Sequence, residues 1–228
     1  VEGKDLFVEK DAVYMKTVRG KLKVDCIYRR LDDTFMDPKA FFKGSLIGVP
    51  GLFKAWRKGN VGILNAPGTG IADDKAIYSY VDKMIVYYLG EQPKIQQVET
   101  LLCSEKIHRE HVIENISKFV VKPTNGSGGN GILIGPHASK KNREEMKKNI
   151  LKNPRNYIAQ PLEILSTTPT ITEKSIEPRH LDLRPFVLSG KSTWVTTGGL
   201  TRVALKKGST IVNSSQGGGS KDTMIIDM

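Results

Sequence analysis

A chain of 228 residues with 39% hydrophobic and 26% charged side chains suits a folded protein with one large core or two small ones, and excludes a disordered polar chain. Its formal charge of +11 favours anionic partners, so nucleic acids and phosphorylated small molecules both come into view. No apolar run approaches the ~20 residues of a spanning helix and the opening VEGKDLFVEKD has no apolar signal core, so the expected address is cytoplasmic, with no membrane partner.

The first segment alternates short strand-like runs with charged turns: Leu6 to Val8, Ala12 to Met15, then Leu22 to Tyr28 after the turn at Arg19 and Gly20. Glycine and proline crowd residues 44–70, where GVPGLF and NAPGTG bracket a short strand from Asn60 to Asn65. A helix begins near Asp73, its N-cap. Ile77, Tyr80, Val81, Met84, Ile85 and Tyr88 recur at three- and four-residue spacing up to Gly90, which predicts a buried stripe. Pro93 and the polar stretch after it mark a boundary, giving a small α/β fore-domain over residues 1–95 and a second unit over 96–228. In that unit strands are expected at Lys118 to Lys122, Gly131 to Ile134, Tyr157 to Gln160, Leu181 to Leu188 and Ser192 to Thr197, with a helix from Ser139 to about Leu151. This order fits α/β architecture of α+β character, an antiparallel sheet with helices on one side. The basic run at Lys140 to Lys148, broken by Glu144 and Glu145, reads as a solvated helix face.

The most informative stretch is FVVKPTNGSGGNGILIG. A β-type run ends in Lys122, Pro123 stops its regular continuation, and Gly126, Gly128, Gly129 and Gly131 allow a sharp turn and close approach of a ligand. Backbone N–H groups of such a turn, Ser127 included, can wrap outer phosphates while the lysine reaches inner ones. A structural turn would look the same. The lysine precedes the loop and no helix follows directly, so this is not a Walker A motif.

Downstream, alternation places Asp182 and Arg184 on one strand face, either to bind an anion or as a surface ion pair. Arg202 falls in another strand, and Asn213 to Ser220 forms a loop of small donors that suits an anion cradle or a flexible tail. Cys26 and Cys103 read as reduced thiols, and the four histidines lack the spacing of a zinc site. No nucleophile has an assignable base, so the chemistry expected is electrostatic rather than covalent.

Taken with VDCIYRRLDDTFMDP, GSLIGVPGLFKAWRKGNVGILNAPGTGIADDKAIYSYV, PRHLDLRPFV, GGLTRVAL and VNSSQGGGSKDT, these motifs resemble the circularly permuted type 2 branch of the ATP-grasp superfamily. That branch is akin to glutathionylspermidine synthetase and other carboxylate-amine ligases. The resemblance covers nearly the whole chain. It implies an ATP-grasp sheet with helices behind a fore-domain, and ATP with Mg2+ as cofactors. It also implies an ATP-dependent ligase that joins a small-molecule or peptide carboxylate to an amine through an acyl phosphate. By the same resemblance Lys75 opens the segment leading to the nucleotide domain, and Lys122 contacts phosphate. Gly126, Ser127, Gly128, Gly129 and Gly131 cover it, and Gln160 leads into the hinge beside adenine. Arg184 and Arg202 sit on the phosphoryl-transfer side, Asn213 with Gly217 and Gly218 cradles the acyl phosphate, and Arg29 and Arg30 face the substrate cleft or end a solvated strand. The resemblance also implies that the metal acids lie in a segment preceding Val1; Ile63 stands where GILNAPG would need its acid, so Asn65 is assigned no metal role. Two other readings stay open: a nucleotide- or partner-binding protein without catalysis, and a nucleic-acid binder. The second rests on net charge alone, since no aromatic-basic platform accompanies it.

Overall fold

The computed structural model describes residues 1–126, 129–172, 175–209, 212 and 218–225, in two units, Val1–Gln92 and Pro93–Met228. In the first unit, Lys10 and Asp11 at φ 48° and 62° form the two-residue turn that folds β1 (Leu6–Glu9) onto β2 (Ala12–Thr17), and β3 (Gly20–Lys23) completes an antiparallel sheet of order β1-β2-β3. The single strand expected from Leu22 to Tyr28 is divided. Val24 N–H donates to the Val13 carbonyl at 2.9 Å, whereas the Asp25 carbonyl accepts from Gly62 N at 2.8 Å, so the chain changes sheets between these residues. β4 (Cys26–Tyr28) then pairs in parallel with β5 (Gly62–Leu64).

Two short helices, α1 (Asp33–Met36) and α2 (Leu52–Arg57), lie between these strands. Asp37 is buried, and its carboxylate accepts from Lys39 N at 2.8 Å and from Gly51 N and Phe53 N at 3.0 Å each, tying the loop after α1 to the start of α2. The core joins Val13, Met36, Val49, Leu52, Ala55, Val61 and Ile63.

The helix expected from Asp73 departs from its prediction in two ways. Asp73 ends a 3-10 turn (Thr69–Asp73), and the cap is Asp74, whose side chain accepts from Ala76 N at 2.8 Å at the start of α3 (Lys75–Tyr78). A break at Ser79 and Tyr80 separates α3 from α4 (Val81–Leu89), which Gly90 closes at φ 67°. The apolar stripe is also not core: α4 has no buried residue, and Tyr88 is 75% exposed. Periodicity states which side chains share a helix face; what covers that face is decided elsewhere.

The second unit contains β6 (Leu101–Leu102), α5 (Lys106–Glu114), β7 (Phe119–Pro123), β8 (Leu133–Ile134), α6 (Lys140–Lys152) and β9 (Tyr157–Pro161). It continues with β10 (Thr167–Ile171), β11 (Ile176–Ser189), β12 (Thr193–Ala204) and β13 (Gly218–Lys221). Two four-stranded sheets result, ordered β6-β9-β7-β8 and β10-β11-β12-β13, all paired antiparallel, where one sheet was expected. Leu101, Phe119, Val121, Leu133 and Ala159 from the first of these sheets share a core with Val112 of α5 and Ile150 of α6. Ser139 caps α6 by accepting from Asn142 N at 3.2 Å, and Lys147 pairs with Glu144 at 2.9 Å on the wet side. Arg202 does not occupy a strand of its own. β12 runs unbroken from Thr193 through Gly198 and Gly199, with a register shift between Pro185 and Val187 of β11. Large apolar side chains at the turn end of this ribbon, Phe186, Val187, Leu188, Trp194 and Val195, are exposed.

Candidate functional site

In the β7-β9 pair, Val120 lies opposite Gln160 and Lys122 opposite Ile158. With a side-chain period of two, Lys122 and Gln160 therefore stand on the face away from Phe119, Val121 and Ala159, which pack with the helices. The Lys122 Nζ donates to Gln160 Oε1 at 2.6 Å, Gln160 Nε2 donates to Thr100 Oγ1 at 2.8 Å, and Thr100 Oγ1 donates to the Val98 carbonyl at 3.0 Å. An ammonium has only donors, so it selects the amide oxygen and leaves the amide nitrogen for the threonine. Gln160 is 8% exposed, which makes this chain of contacts a rigid seat for a partly buried cation.

β7 ends at Pro123 and leads directly into the glycine turn. Thr124 is buried and its N–H donates to the Asn156 carbonyl at 2.9 Å, anchoring the entrance. Gly126, Gly129 and Gly131 then adopt φ values of 117°, 83° and 72°, a region unfavourable to other residues. A Cβ on Gly131 would meet Pro123 Cγ at 3.0 Å, whereas one on Gly126 would meet no atom within 4 Å, so at Gly126 the backbone angle alone calls for glycine. Ser127 and Gly128 lie outside the described residues.

A second group forms on the other sheet of the same unit. Asp182 faces Arg202 across β11 and β12, Arg202 faces Ser220 across β12 and β13, and Arg184, two residues from Asp182, shares that face. Arg184 donates to Asp182 Oδ2 from Nε at 3.1 Å and from Nη2 at 2.8 Å. The two side chains share a face, as the alternation predicts, and they form the ion pair that was one of the two readings. Gly218 pairs with Ala204 as the first residue of β13; Asn213 and Gly217 lie outside the described residues. Lys75 opens α3 in the first unit, apart in the chain from both groups.

Arg29 and Arg30 both line a cavity beside β4, and Arg29 does not end a solvated strand. Its side chain is 11% exposed; the guanidinium donates to the carbonyls of Asn65 (2.7 Å), Leu31 (2.6 Å) and Ala66 (3.1 Å) and pairs with Asp33 at 2.5 Å. The other Asp33 oxygen accepts from Gly68 N at 2.9 Å, so the pair clamps the NAPG turn. Arg30 is exposed. Burial pushes the Cys103 thiol up to about 11, with Arg109 opposing weakly, so this thiol is protonated at neutral pH and is no nucleophile. His108 accepts from Leu102 N at 3.3 Å, and His111 lies edge-on to Phe119.

Among the described residues no three His, Cys, Asp or Glu come together as a metal site. Asp25 is paired with Lys23 at 2.8 Å, and Asp74 is the cap of α3. The described residues therefore do not fit a magnesium set.

A mixed α/β chain with antiparallel sheets, one of them seating a lysine ahead of a positive-φ glycine turn, is consistent with an ATP-grasp-like fold. Its branch follows from comparison with known families: residues 1–204 match the circularly permuted ATP-grasp type 2 family, and the chain belongs to it. It is 52% identical to an uncharacterized protein of Synechocystis sp. over 99% of its own length and 47% of that protein. With an uncharacterized protein of Mycobacterium tuberculosis the figures are 51%, 99% and 41%. A Frankia casuarinae protein named "Putative glutamate--cysteine ligase 2-2" is 46% identical over 99% of this chain and 26% of that protein. The chain thus spans less than half the length of these relatives.

Proposed function

We propose that this chain carries the nucleotide-binding part of an ATP-dependent carboxylate-amine ligase, in which a substrate carboxylate is phosphorylated and an amine displaces phosphate to give an amide or peptide bond. The observation behind this reading is the Lys122 ammonium, held at 2.6 Å by Gln160 and followed closely by the positive-φ glycines Gly126, Gly129 and Gly131. In such a reaction the protein contributes positioning and charge neutralisation. Lys122 binds the phosphates, the turn's backbone N–H groups cover them, and Gln160 both aims the lysine and borders the base. Arg184 and Arg202 offset charge on the transferring phosphoryl group, and Asn213 meets the acyl phosphate. Lys75 serves the approach to the nucleotide. Magnesium accompanies ATP, with its acids supplied from outside the described residues. The substrates are small-molecule or peptide carboxylates and amines; the Frankia relative's name, with its glutamate and cysteine, supports that class. A cytoplasmic setting follows from the need for ATP, and no helix among the described residues is long and apolar enough to cross a membrane.

Calorimetric titration with Mg-ATP tests the reading. Loss of one charge-assisted contact, about 1.5–3 kcal/mol, makes Lys122→Ala bind roughly ten- to a hundredfold more weakly with the fold retained. Equal affinity in the two forms overturns it. ADP release on adding carboxylate and amine candidates separates a ligase from a nucleotide-binding protein without catalysis.

A further inference from the structure

The ligase reading leaves unused a group of cations in the first unit. The turn at Lys10 and Asp11, the loop at Lys39 and the helix α2 frame a cavity of about 760 Å3, a size within the ~300–1,000 Å3 usual for small-molecule sites. Lys54, Arg57 and Lys58 fall on one face of α2 by their spacing of three and four. With Lys10 and Lys39 they give five cationic side chains around one concavity.

Two carboxylates line it as well, and both are already engaged. Asp37 is buried and spends its oxygens on the N–H groups of Lys39, Gly51 and Phe53. Asp11 accepts from Lys58, and from Lys54 at 2.9 Å; these contacts, that of Lys58 first, hold its carboxyl below the usual range. Lys10, Lys39 and Arg57 form no ion pair and no side-chain hydrogen bond among the described residues. Like charges gathered round one hollow repel each other, and walls of low dielectric concentrate their field on whatever enters.

We propose that this cavity binds a small polyanion carrying two or more phosphate or carboxylate groups. Arg57 forks onto one group, and Lys10 and Lys39 meet the others as point charges. Lys54 and Lys58 share the single negative charge of Asp11, and the positive charge left over makes that wall basic.

The test uses the full chain bearing Lys122→Ala, so that binding at the glycine turn is weakened and a failure here is distinct from failure of the ligase reading. Inorganic tripolyphosphate and citrate are titrated separately by calorimetry, without magnesium and at low salt. Saturable one-to-one binding of at least one ion is expected, the tighter of the two telling phosphate from carboxylate. Adding Lys39→Gln and Arg57→Gln together weakens it tenfold or more, while Lys118→Gln, an exposed cation elsewhere, leaves it unchanged. Thermal unfolding checks each variant; should the double variant fail to fold, Arg57→Lys, which keeps the charge but not the fork, still weakens binding severalfold. No binding of either ion, or equal affinity after loss of Lys39 and Arg57, overturns the proposal.

Discussion

Gln160 carries two contacts that one substitution can separate. In Gln160→Leu, a change of similar size, Lys122 loses an acceptor at 2.6 Å and Thr100 loses a donor at 2.8 Å. A hydrogen bond to a charged group is worth about 1.5–3 kcal/mol and a neutral one about 0.5–1.5 kcal/mol, with roughly 1 kcal/mol returned by the added apolar burial. The expected net cost is about 1–3.5 kcal/mol, read from the midpoint of urea unfolding followed by circular dichroism. Gln160→Glu acts oppositely on the two functions of the site. Its carboxylate still accepts from Lys122, and the Thr100 hydroxyl can turn to donate to it, so stability stays close to that of the parent chain. The ammonium is then neutralised where it stands, and Mg-ATP affinity falls tenfold or more. Unchanged stability in Gln160→Leu, or undiminished Mg-ATP affinity in Gln160→Glu, refutes the view that this glutamine aims a phosphate-binding lysine.

Arg29→Ala leaves Asp33 and three backbone carbonyls without the guanidinium, at a cost of about 3 kcal/mol. Limited proteolysis should cut residues 65–70 faster in that variant, and equal cutting rates count against the clamp. Cys103 is fully buried and Cys26 exposed, so a thiol reagent should titrate one cysteine in the native chain and two in denaturant. Because the folded thiol titrates at about 11 against a reference of 9.0, the unfolded chain loses its proton first as pH rises. Stability should therefore fall between those values, by about 2–3 kcal/mol more in the parent chain than in Cys103→Ala. Glu177 titrates below its ordinary 4.5 because Arg179 donates to it and Lys207 lies near. That pairing stabilises the fold above pH 4.5 and is lost as pH falls through the lowered value. Carbon-detected NMR should show the Glu177 midpoint rising toward 4.5 in Arg179→Ala.

Elements with a local cause were legible in the sequence. Ser139 ahead of a charged amphipathic run marked α6, and the β-type residues before Lys122 marked β7. α5 was missed because KIHREHVIE carries few apolar residues, of which Val112 alone is buried. β13 was missed because GGSK has no strand-forming side chains; β12 supplies its pairing. The α4 stripe was read as core because periodicity is blind to what packs on it. At the site, Lys122 and the glycines followed from sequence, since strand end and turn are local events. The seating of Lys122 on Gln160 and Thr100 depends on register between residues 38 and 60 positions apart, and the Arg29 clamp on a loop 36 residues away; neither leaves a local pattern.

The open ribbon end of β11 and β12 gives the molecule an optical handle. Of its two tryptophans, Trp56 is stacked on Phe53 at 5.4 Å, whereas Trp194 stands in water among bare apolar neighbours. Any protein surface, detergent or second molecule that closes over that end dries the Trp194 indole and moves its emission to shorter wavelength, so a fluorometer can follow such encounters without a label.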